Sequence, residues 1–147
     1  MKKSSIFLTA LVCMIMQSLS TFADDKIIPV EQLPAPAKTF IESTFPGQTI
    51  AYAKKDRDLG KTTYEVRLND GTEVDFDSKG IWDKVDCGHS PVPAQLVPAD
   101  IANYVNANYG GATIVKIDKE RKGFEIELSN DLDLKFNKKG QLIGIDD

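Results

Sequence analysis

Residues 64–86, YEVRLNDGTEVDFDSKGIWDKVD, recur sixty positions later as residues 124–146, FEIELSNDLDLKFNKKGQLIGID. In each copy apolar and charged residues alternate, a turn follows, and the alternation resumes. Backbone in such a pattern is satisfied by pairing with itself, so the chain is built around a duplicated antiparallel meander.

The loop lengths fix the register. A two-residue Asp70-Gly71 turn would set Val66 against Asp75 and mix apolar with charged residues on one face. A three-residue Asn69-Asp70-Gly71 loop instead sets Leu68 against Thr72, Val66 against Val74 and Tyr64 against Phe76, with Gly71 in the left-handed position. The second copy then pairs Ile126 with Leu134 and Phe124 with Phe136, and Asp131 takes the glycine's place, a conformation Asp tolerates better than most residues. Asp77 to Gly80 and Asn137 to Gly140 read as matching four-residue turns.

A helix precedes each meander. Leu33-Pro34 opens the first, which runs to about Phe45 and stops at Pro46-Gly47, and Val97-Pro98 opens the second, which stops before Gly110-Gly111. Ala37, Phe40, Ile41 and Phe45 fall at helical spacing, as do Ile101, Tyr104, Val105 and Tyr109, and both stripes suit a core rather than a cofactor. One further strand, 49–55 or 113–119, joins helix to meander, and a longer Asp56 to Lys61 loop distinguishes the first copy. The predicted fold is α+β: two tandem αβ4 repeats forming an antiparallel sheet of about eight strands, with both helices on one face.

The organisation along the chain follows. Residues 1–23 read as a signal peptide, with basic Lys2 and Lys3, an apolar run from Ile6 to Met16, and Thr21-Phe22-Ala23 at the cleavage site. A membrane helix is the alternative, but the apolar run falls short of the roughly 20 residues that span a bilayer. Residues 24–32 form a leader, 33–86 the first repeat, 87–96 a connector and 97–147 the second repeat. Cleavage would take the net charge from −4 to −6, which argues against nucleic acid and anionic membrane surfaces as partners. Cys87 is then the single cysteine, to be buried, bridged to another chain or left reactive.

The sheet face away from the helices should be charged, carrying Glu65, Arg67, Glu73 and Asp75 from the first copy and Glu125, Glu127, Asp133 and Lys135 from the second. Ala51 and Ala53 are expected to face the helices, which sends Tyr52 to the open face. Ile143 and Ile145 are expected inward, which sends Leu142 and its counterpart Trp82 outward; a slip of one residue at Gly80 would instead bury Trp82 against Phe76. Tyr52 and Trp82, rimmed by Arg67, Glu73 and Asp75, form a candidate protein-binding patch.

The signal peptide, the helix LPAPAKTFIESTFPG, the meander NDGTEVDFDSKGIW, the connector VDCGHSPVPAQLVP and the helix IANYVNANY together resemble the PepSY-like family of exported bacterial proteins, also described as β-lactamase-inhibitor-like and common in Bacteroides-type organisms. The resemblance implies two αβ4 units with a curved sheet, a periplasmic or secreted location, and binding of an enzyme on the concave face.

No catalytic site is expected. The chain has no G-x-S-x-G, no phosphate loop and no H-E-x-x-H, and Cys87-Gly88-His89 lacks both an orienting residue for nucleophilic chemistry and a second ligand pair for zinc. Asp70, Asp75, Asp77, Asp83 and Asp86 do not form a calcium loop of the D-x-D-x-D-G type. No cofactor and no metal site are therefore predicted, and the chain reads as a non-catalytic binding module. Its partner would be an envelope protein, a peptidase or other hydrolase. The alternatives are a small-ligand or cation-binding envelope sensor, or a structural envelope protein.

Overall fold

The computed structural model describes residues 25–147, so the predicted signal peptide lies outside the described residues. Nine strands form one antiparallel sheet in chain order: β1 (Lys26–Ile28), β2 (Ile50–Asp58), β3 (Lys61–Leu68), β4 (Glu73–Phe76), β5 (Trp82–Asp86), β6 (Ile114–Glu120), β7 (Gly123–Leu128), β8 (Asp133–Asn137) and β9 (Leu142–Asp146). Helix α1 (Ala35–Thr44) precedes β2 and α2 (Ala99–Asn108) precedes β6. The ninth strand comes from the leader, where Ile28 pairs with Ala53 and is buried.

The three-residue loops hold. Val66 faces Val74 and Tyr64 faces Phe76, Ile126 faces Leu134 and Phe124 faces Phe136. Gly71 and Asp131 both adopt positive φ, at 92° and 64°. Asp77 Oδ1 accepts from the N–H groups of Lys79 and Ile81, and Asn137 Oδ1 does the same for Lys139 and Gln141, so each four-residue turn is closed by its first side chain.

Both helices lie on one face, over a core that runs the length of the sheet. Ala37 and Ile41 of α1 and Ile101 and Val105 of α2 are buried with Val66, Val74, Phe76, Val85, Ile117, Ile126, Leu134 and Phe136. Phe40 meets Phe76 edge to face with ring centroids 5.7 Å apart, and Tyr104 meets Phe136 in the same way at 5.5 Å. Gly80, in the turn between β4 and β5, packs tightly against the start of α1. Its φ is +82°, and a Cβ there would lie 2.7 Å from the Cβ of Pro34.

The Asp56 to Lys61 stretch is not a loop. Asp56 pairs with Thr63, Arg57 with Thr62 and Asp58 with Lys61, leaving Leu59-Gly60 as a two-residue turn with positive φ at both positions, so the first copy is longer by strand rather than by coil. The 87–96 connector is packed: Cys87 and Val92 are buried, and their N–H groups donate to the carbonyls of Val115 and Ile114.

Candidate functional site

The open face carries the charged rows that the register dictates. Across it Lys54 pairs with Glu65 at 3.2 Å, Arg67 with Glu73 at 2.8 Å, Lys116 with Glu127 at 3.3 Å, and Lys135 with Asp146 at 2.6 Å. Tyr52 stands on this face, half-buried, with its hydroxyl donating to Glu65 Oε1 at 3.4 Å and Lys54 Nζ 5.2 Å from its ring centroid. A bulge between Ile50 and Tyr52 leaves Ala51 exposed rather than turned to the helices.

Trp82 is elsewhere. Phe76 pairs with Trp82 and Asp75 with Lys84, so Asp83 is an extra residue and the strand shifts by one. That bulge turns Trp82 to the helix face, where it stacks on Phe40 with centroids 5.9 Å apart and planes 29° from parallel. The same shift after Phe136 puts Leu142 against the core and leaves Ile143 exposed. The patch expected from Tyr52 and Trp82 together is therefore not formed: Tyr52 lies opposite Arg67 on the open face, with Glu73 and Asp75 two strands away on β4, and Trp82 lies behind the sheet.

What the open face does assemble is an acidic cleft of about 290 Å³ over β2 to β6. Six carboxylates line it, from Asp25, Asp56, Glu65, Asp75, Asp83 and Asp118, against three lysines, Lys54, Lys61 and Lys84. Oxygens of Glu65, Glu73 and Asp75 lie within 4.8 Å of one another at its edge. They meet because the three-residue loop sets Glu65 opposite Asp75 and Arg67 opposite Glu73, so β3 and β4 offer alternate side chains to one side. Lys84 reaches into this group from β5, 4.0 Å from Glu73 and 3.9 Å from Asp75, too far for a hydrogen bond to either.

Burial raises the pKa of Asp75 to about 6; Glu73, Glu65 and Asp118 push the same way and Lys84 opposes them. Burial likewise raises Asp83 and Asp118 from the ordinary carboxyl value. Asp56 Oδ1 is shielded from solvent with no hydrogen-bond partner among the described residues. The cleft thus holds more negative charge than its lysines neutralise, in surroundings that make the charge costly. The sequence offers Asp70, Asp75, Asp77, Asp83 and Asp86 for a loop site, two of them in turns where they cap backbone N–H groups, and does not set Glu65, Glu73 and Asp75 apart as a trio. The signal was present in the three-residue loop, whose register places all three on one face.

Among the described residues no helix is long and apolar enough to cross a membrane. The family model described as "Putative beta-lactamase-inhibitor-like, PepSY-like" matches residues 62–144. None of the curated proteins matches. Among solved structures the chain is similar to one from Bacteroides thetaiotaomicron described as a "putative calcium-regulated periplasmic protein", at 44% identity over 84% of this chain and 98% of that one, with a TM-score of 0.80. Two proteins from Bacteroides vulgatus are also similar. One, described as a putative periplasmic protein, is 41% identical over 84% of this chain and 98% of that one, with a TM-score of 0.80. The other, described as a putative periplasmic protein of unknown function, is 38% identical over 84% and 99%, with a TM-score of 0.81.

Proposed function

This chain belongs to the PepSY-like family, and we propose that it is a non-catalytic periplasmic module whose open sheet face binds a divalent cation of the calcium type in the acidic cleft. The observation that carries this reading is the convergence of Glu65, Glu73 and Asp75 oxygens within 4.8 Å of one another beside an under-neutralised cleft. The donors fit such an ion. All are carboxylate oxygens, the hard ligands that calcium takes, and Asp56 Oδ1 in the same cleft is an acceptor without a donor among the described residues. The B. thetaiotaomicron relative described as calcium-regulated supports the same chemistry.

Glu65, Glu73 and Asp75 would hold the ion, with water completing its shell. Bound there, it would supply the positive charge that three lysines only partly provide. Arg67 uses Glu73 Oε2 and Lys84 approaches Oε1 loosely, so Lys84 is the cation such an ion would displace. Calorimetric titration of the purified protein with calcium tests the reading. One saturable site that weakens at least tenfold in a Glu73→Gln/Asp75→Asn variant of unchanged circular dichroism supports it. Absence of binding, or equal binding by wild type and variant, sinks it.

A second reading gives the same face a protein partner, an envelope peptidase or other hydrolase. It draws on Tyr52, half-exposed beside the cleft between Lys54 and Arg67, an amphipathic ring of the kind that anchors interfaces.

A further inference from the structure

We propose that the outer edge of β9 accepts an extended antiparallel segment of another polypeptide, one that places a branched apolar residue opposite Ile145 and a lysine opposite Asp146. Three strand edges of the same sheet carry one pattern. The ladder of β9 on β8 repeats that of β5 on β4: Ile145 faces Leu134 as Val85 faces Val74, Asp146 faces Asp133 as Asp86 faces Glu73, and both pairs carry the same bulge.

On its other side β5 is covered by β6, with Val85 opposite Ile117 and Asp86 opposite Lys116, and Val85 is 0% exposed. The outer edge of β2 is covered in the same manner by β1, whose Ile28 lies opposite Ala53 at 5% exposure. Among the described residues β9 alone of these positions has no covering strand, and its Ile145 is 49% exposed.

The backbone at this edge is ready to pair. Cys87 N–H donates to the Val115 carbonyl, and hydrogen-bonded pairs alternate along an antiparallel ladder, so the N–H and C=O of Val85 point towards β6. Ile145 occupies the matching place, and its N–H and C=O point away from β8. An added strand would satisfy them, and alternate side chains would supply specificity.

Charge selects the kind of segment. Asp133 and Asp146 face each other across the β8–β9 ladder with Lys135 as the lysine on Asp146, so the edge stays acidic. Lys116 stands opposite Asp86 with its own ion pair to Glu127 at 3.3 Å, and a lysine opposite Asp146 would take the matching position on this acidic edge. Opposed charges across a strand pair are favourable, and like charges are not.

The chain's own β6 segment supplies a probe. A fluorescently labelled peptide of residues 112–120, ATIVKIDKE, added to the purified protein should show saturable anisotropy with Ile117 in register with Ile145. N-methylation of the peptide at Ile117, or Ile145→Pro in the protein, should weaken binding at least tenfold, and Lys116→Glu in the peptide should weaken it severalfold. Ile145→Pro removes an N–H that β8 does not use, and thermal melting checks that the variant is folded. The methylated peptide gives the same readout without altering the protein. Lack of saturable binding, or binding indifferent to both changes, overturns the proposal. So does a sedimentation result in which wild type is a dimer and Ile145→Pro a monomer, because a second copy would then be what covers β9.

Discussion

The Nζ of Lys119 sits 3.5 Å from the centroid of the Trp82 ring and donates to the Trp82 carbonyl oxygen at 3.1 Å. Lys119 lies on β6 and Trp82 on β5, so this contact crosses the seam between the two halves of the sheet. With Phe40 stacked on the ring as well, the indole is held between a helix and a cation. Burial lowers the pKa of Lys119 below its ordinary 10.5, and Asp83 and Asp77 resist the shift. For a lysine lowered in this way, stability rises with pH as the proton is lost between the folded value and 10.5. Trp82 is the single tryptophan, so its emission should titrate with a midpoint below 10.5, and Lys119→Met should abolish that transition. A midpoint at or above 10.5 would refute the lowered pKa.

The two aromatic residues of the expected patch should now behave differently. Trp82→Ala empties a slot against Phe40 and Phe76 and should cost about 3 kcal/mol, the low end for large-to-small aromatic changes because the ring is only half-buried. Tyr52→Ala removes a surface ring and one long hydrogen bond and should cost less than about 1 kcal/mol. Urea unfolding of the two variants separates these outcomes, and equal losses would contradict the placement of Trp82 behind the sheet.

The strand register was legible because loop length and period-two alternation constrain each other: only the three-residue loop keeps Val66, Val74, Ile126 and Leu134 on one face. The side of the sheet taken by Trp82 was not legible, since one bulged residue, Asp83, reverses it and leaves no local mark in a run such as Ile81-Trp82-Asp83-Lys84. Strand β1 was hidden for another reason. Three residues of Lys26–Ile28 become a strand only because β2 presents an edge to them, which is a property of the assembled sheet. Alternation placed Glu65 and Asp75 on the open face, but the gathering of Asp25, Lys54, Lys84 and Asp118 around them depends on the order of strands across the sheet.

Gly80 tests the seating of α1. Alanine there must hold a φ of +82° and push its Cβ against Pro34 and the Ala37 backbone. Strain in a left-handed residue costs roughly 1–3 kcal/mol before any clash. Gly80→Ala should therefore lower the melting temperature more than Gly71→Ala, where φ is +92° but nothing lies within 4 Å. Equal losses would mean that the helix yields freely.

Asp75 gives the cleft a pH dependence with a defined sign. Its pKa rises from 3.8 to about 6 on folding, chiefly through burial, so the folded state binds its proton more tightly than the unfolded chain. Stability from this group is greatest below about pH 4 and is lost as pH rises through 6. The side chain is 35% exposed, and solvent screening reduces the nominal loss to about 1–2 kcal/mol. Asp75→Asn should remove that slope and stabilise the protein at pH 7, measured as urea midpoints between pH 4 and 7. The proton and the proposed cation compete for the same carboxylate, so calcium affinity should fall as pH drops below 6. Lys84 competes as well, from 3.9 Å, and Lys84→Met should raise that affinity severalfold at neutral pH. If Lys84→Met leaves calcium binding unchanged, the ion does not sit between Glu73 and Asp75, and the carboxylates of the cleft serve only the ion pairs seen across the sheet.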